Sequence, residues 1–168
     1  MLTFDAQLRV RLERKGERSM SDWAAQAAKE LWKHEAEQKH EDAVYIQKRT
    51  HILSDAPRLW EVLKETLFSE INAFNEHRPD YFKMSANFRE LAAISIESEK
   101  AKLDARFDEA IPTVRFSTTH QTSPASASTI QGSYDFEIQR GTVWYSSQRA
   151  VDVDTVAHEM LDTMLRRR

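Results

Sequence analysis

Between Ile130 and Leu165 two alternating segments, a glycine turn and an amphipathic helix follow one another with almost no intervening chain. Ile130, Gly132, Tyr134, Phe136 and Ile138 fall on one side of an extended segment and Gln131, Ser133, Asp135, Glu137 and Gln139 on the other. That is the period of two of a strand with one buried face. Gln139-Arg140-Gly141 reads as a three-residue turn with glycine in the left-handed position, setting Ile138 opposite Thr142 and Phe136 opposite Trp144. A two-residue turn at Arg140-Gly141 would bring Val143 and Tyr145 beside Phe136 instead, because a one-residue slip exchanges the faces. The longer turn is expected, and with it a Trp144 on the face of Phe136.

The helix that follows is marked by Val153, Val156, Ala157, Met160, Leu161, Met164 and Leu165 at helical spacing. Asp152 stands where an N-cap belongs, and Arg166-Arg167-Arg168 places positive charge at the negative end of the dipole. Its apolar stripe needs a surface to cover, and the sheet just before it is the nearest.

Upstream the pattern is helical. Residues 2–12 fit a strand by alternation or a helix through Phe4, Leu8 and Leu12, and the helix is favoured; Gly16 to Ser21 interrupts. Trp23, Ala24, Ala27, Ala28, Leu31 and Trp32 form a narrow stripe, after which Lys33 to Asp42 has no apolar residue but Ala36 while keeping strong helix formers. Val44 to Leu53 is ambiguous. Ser54-Asp55-Ala56-Pro57 has the form of a helix start, followed by Leu59, Trp60, Leu63, Leu67, Ile71 and Phe74 in a long helix ending near His77. Short strands are expected at 91–98, along Leu103, Ala105 and Phe107, and at Val114 and Phe116, whereas Thr118 to Thr129 lacks periodicity and reads as a mobile loop. The expected fold is α+β: long N-terminal helices, an antiparallel meander of about five strands, then a C-terminal amphipathic helix packed on the sheet. Residues 1–53 form a helical extension and 54–168 the α+β domain.

A chain of 168 residues can bury roughly 70% of its unfolded surface in one core. Having no cysteine, it has no disulfide, thiolate nucleophile or cysteine-based zinc site, and the default compartment is the cytoplasm. The first residues lack a basic segment leading into an apolar one, and no apolar run approaches the ~20 residues of a membrane span. Only Gly16, Gly132 and Gly141 occur, so neither a dinucleotide fingerprint nor a phosphate loop can be written. A net charge of −3 gives no general attraction to nucleic acid. Five basic residues against two acidic ones in residues 9–18 and the three terminal arginines are short local patches. Arg106-Phe107 and Arg115-Phe116 interleave base and aromatic, but alternation sends the arginines to the face where Asp104, Asp108 and Glu137 cancel them.

Two acid-histidine stripes could hold a metal. Glu30, His34, Glu37 and Glu41 share a helix face with a Glu37-x-x-His40 motif, and Asp154, His158 and Asp162 share another. The first lacks a second Glu-x-x-His helix and the second lacks a second histidine, so both read as solvated faces. His120, among Thr118, Thr119 and Thr122, has no nucleophile elbow near it. No catalytic residue, metal ligand or cofactor is assigned, and no enzyme is expected. The favoured function is a non-catalytic cytoplasmic interaction or scaffold module, a homodimer or partner of another protein, with Trp23, Leu31 and Trp32 as contact residues. The alternative is a small-ligand domain with an apolar pocket between sheet and helix lined by Phe107, Phe116, Tyr134, Phe136 and Trp144.

Overall fold

In a computed structural model residues 4–79, 83–123 and 126–165 are described, and the chain divides into two compact units, Met1–Gln47 and Lys48–Arg168. The N-terminal element is one helix of 73 residues, α1 (Phe4–Glu76), in place of the separate helices expected. Gly16 does not interrupt it, since one glycine costs only about 1 kcal/mol against the good helix formers around it. Pro57 lies inside it, where it removes the amide that would bond the Leu53 carbonyl, at about 3 kcal/mol. Ala56 and Trp60 beside it are almost fully buried, and that packing offsets the loss.

In the second unit an antiparallel sheet of seven strands, not about five, runs in sequence order. The strands are β1 (Ser85–Glu90), β2 (Ala93–Glu97), β3 (Ala101–Asp108), β4 (Thr113–Ser123), β5 (Ser126–Gln139), β6 (Thr142–Ser146) and β7 (Ala150–Val151). The two strands not foreseen, β1 and β7, are a bulged edge and a two-residue bridge, too short or irregular to leave an alternating pattern. Strand β3 buries Ala101, Leu103, Ala105 and Phe107 and exposes the residues between them. One face of the sheet is covered by the C-terminal part of α1, through Trp60, Leu63, Leu67 and Ile71, and by α2 (Val153–Leu165). Asn75 ties the end of α1 to the start of the sheet, donating to the Met84 carbonyl at 2.8 Å and accepting from its amide at 2.8 Å.

Helix α2 buries Val156, Ala157, Met160, Leu161 and Met164 of the stripe read from the sequence, while Val153 is half-buried and Leu165 exposed. Asp152 caps it, accepting from the Thr155 amide at 2.7 Å. Hydrogen bonds from Thr155 hold the Asp152 carboxyl below its ordinary range, with His158 adding a smaller attraction. A carboxyl with a depressed folded pKa contributes stability above its unfolded pKa and loses it as pH falls. Asp152→Ala is therefore expected to cost about 0.5–2 kcal/mol at neutral pH and progressively less in acid, read by urea unfolding at both pH values. An equal cost at both would show that the charge plays no part. Arg166-Arg167-Arg168 lie outside the described residues.

Two expectations are corrected. The β5–β6 turn has two residues: Gln139 pairs with Thr142, Ile138 with Val143 and Phe136 with Tyr145. Arg140 and Gly141 have φ of 52° and 78°, both in the left-handed region, as a type I′ turn demands. Trp144 therefore faces away from Phe136 and is 36% exposed, while Val143 and Tyr145 are buried. The stretch expected as a mobile loop is instead the far end of the β4–β5 hairpin, which pairs Thr118 with Ile130 and continues to Ser123 and Ser126.

Candidate functional site

Every residue from 22 to 43 on α1 is exposed. Among them are Trp23 at 72%, Leu31 at 60% and Trp32 at 77%, and Tyr45 and Ile46 follow at 63% each. Trp23, Ala27 and Leu31 lie at successive i+4 positions, and Ala24, Ala28 and Trp32 make the adjacent row, so the apolar stripe is two ridges wide. The Glu30, His34, Glu37 and Glu41 stripe lies in the same exposed stretch, where Glu37 pairs with Lys33 at 3.8 Å. Among the described residues no group of three or more His, Asp or Glu is arranged to hold a metal ion.

The aromatic residues expected to line a pocket pack on one another. Phe107 stacks on Trp60 at 5.9 Å between centroids and meets Phe136 edge-on at 6.1 Å. Phe116 stacks on Tyr134 at 5.9 Å, and Tyr145 touches both Tyr134 and Phe136. Trp144 does not join them. Phe107, Tyr134 and Phe136 are buried, and the phenols are satisfied within the core: Tyr134 donates to Glu159 of α2, and Tyr145 to the Leu59 carbonyl of α1 at 2.7 Å. Burial raises the pKa of both phenols, with the Glu159 carboxylate adding to the effect at Tyr134.

His120 lies on β4 rather than in a loop, and its Nε2–H donates to the Thr163 carbonyl near the C-terminal end of α2 at 2.6 Å. Beside it Thr163 Oγ1 donates to the Met160 carbonyl at 2.6 Å, so the 2.5 Å bond between the Thr118 and Thr163 hydroxyls takes its proton from Thr118. Strand β4 is thereby fastened to α2 by polar groups that hydropathy could not announce.

Away from the helices the sheet is polar. Arg106 sits beside Arg115, and Ser95 beside Asp104, which neighbours Ser117. A groove of about 860 Å³ lies over these rows. Arg106 pairs with Glu90 at 3.6 Å, and Lys102 pairs with Glu97 at 3.4 Å and with Asp104 at 3.5 Å, so acids sit among the bases on this face. The Ser95 hydroxyl is buried here without a hydrogen-bond partner.

A second hollow, about 360 Å³, lies between the end of α1 and α2, with Ile71, Phe74 and Leu161 in its wall. At its rim His158 Nε2 lies 3.4 Å from Glu70. The acid–histidine stripe of α2 thus meets a carboxylate on α1, a partner that spacing along one helix could not reveal. No known protein family, curated protein or solved structure matches the chain. Among the described residues no helix is long and apolar enough to cross a membrane.

Proposed function

We propose that this chain is a non-catalytic cytoplasmic interaction module that forms a homodimer through the N-terminal part of α1. The observation that carries this reading is the exposure of Trp23, Leu31 and Trp32 on one stripe of a helix in which every residue from 22 to 43 is exposed. Soluble proteins seldom leave a contiguous apolar stripe uncovered, and tryptophan is among the residues that most often anchor interfaces. Helices in water also draw most of their stability from a packed face, which this segment lacks within its own chain. Absence of cysteine suits a reducing compartment. Against the ligand-binding alternative stand the burial and mutual ring contacts of Phe107, Tyr134 and Phe136, while the half-buried Phe116 stacks on Tyr134.

Light scattering on the full chain tests the reading. The expected result is a dimer in the micromolar range, converted to monomer by the double variant Trp23→Ala and Trp32→Ala, with the second unit's stability unchanged. A monomeric parent chain at all accessible concentrations would remove the proposal.

A further inference from the structure

We infer that the two copies pair with their α1 helices antiparallel, about a two-fold axis passing beside the Ala27–Ala28 peptide; this rests on the proposed self-association. The exposed stripe reads almost the same in both directions: Trp23, Ala24, Ala27, Ala28, Leu31, Trp32. Its two i+4 ridges, Trp23–Ala27–Leu31 and Ala24–Ala28–Trp32, each have alanine in the middle and carry their tryptophans at opposite ends, with Leu31 matched to the smaller Ala24. Laid against a second copy running the opposite way about a two-fold axis, each level of the stripe meets the mirrored level of the partner's. Trp23 then stands level with the partner's Trp32, Ala27 with the partner's Ala28, and Leu31 with the partner's Ala24. Small residues occupy the centre, where helix axes can approach; large residues meet small ones on either side, and tryptophans close both ends. A two-fold interface requires this self-complementarity of a single patch.

Charge selects the same arrangement. Segment 9–18 carries five basic and two acidic residues, whereas segment 37–42 carries Glu37, Glu41 and Asp42 against Lys39. About the Ala27–Ala28 axis the basic segment of each copy falls beside the acidic segment of the other. A parallel pair sets each segment on its own like, which is repulsive.

The chain has no cysteine, so single cysteines report the geometry without background. Positions 20 and 35 face one another across the inferred axis, while each lies about 22 Å along the axis from its own counterpart, too far for a disulfide. Full-length Met20→Cys and Glu35→Cys are prepared separately, mixed to allow subunit exchange, and oxidised, with light scattering on each. The expected result is a dimer in every sample and a disulfide-linked pair only in the mixture. Linkage within either variant alone means parallel helices, and a dimer with no linkage anywhere means association through another surface; either overturns the orientation. A monomer in every sample, the parent chain included, removes the self-association beneath it. Raised salt is expected to weaken the dimer, since paired opposite charges are screened; strengthening by salt would contradict the pairing of segments 9–18 and 37–42.

Discussion

Trp60→Ala lowers the stability of the second unit by about 3–5 kcal/mol, the cost expected when a buried tryptophan is cut to alanine. Trp60 is 2% exposed and stands where α1 crosses the sheet. Its ring stacks on Phe107 of β3, and its Nε1–H donates to the Leu91 carbonyl at 2.8 Å, holding the β1–β2 turn. Truncation opens a cavity beside Phe107 and withdraws one donor from Leu91. That carbonyl keeps a weaker one, Lys64 Nζ at 3.3 Å, so it is not orphaned and the loss is mainly packing. Trp60→Phe keeps much of the ring contact and removes the donor; it is expected to cost less than half as much. Urea unfolding checks both, and a loss under about 1 kcal/mol for the alanine variant would mean that α1 is not anchored to the sheet here.

What the sequence disclosed depended on whether burial was achieved by hydrophobic residues at a regular period. Helix α2 was legible in its bounds, its cap and most of its stripe because these lie within the segment itself, though Leu165 is exposed and the buried Thr163 was not foreseen. Strand β3 was legible for the same reason. The distal part of the β4–β5 hairpin was not, since its buried position is Thr118, held by a hydroxyl pair with a residue far along the chain. The β5–β6 register failed on Arg140: type I′ turns favour Asn-Gly, and an arginine at φ 52° gives no warning of itself. Gly16 and Pro57 look like breakers locally, yet α1 runs through both. For the candidate sites, Trp23, Leu31 and Trp32 were visible as a stripe with nothing nearby to cover it. Phe107, Phe116, Tyr134 and Phe136 were visible as a cluster, but which rings touch depends on strand register, which a one-dimensional pattern does not give.

Gly132→Ala is the second large effect, and its sign separates two roles for the glycine. If Gly132 were merely a flexible residue in a strand, alanine would stabilise β5, because glycine loses more conformational freedom on folding. The register instead sets Gly132 opposite Phe116, and a Cβ built there would lie 2.4 Å from both Cε1 and Cζ of that ring. Such a separation cannot persist, so the ring must move. Its freedom is limited, because it stacks on Tyr134, which is 3% exposed and bonded to Glu159. Displacing Phe116 breaks that stack and loosens the seat of α2, at a cost of about 1–3 kcal/mol, the range typical of overpacked cores. A double-mutant cycle isolates the cause. In a Phe116→Leu background the far end of the ring is gone, and Gly132→Ala should become nearly neutral or stabilising. Additive losses would mean that the glycine is required for something other than the close approach of Phe116.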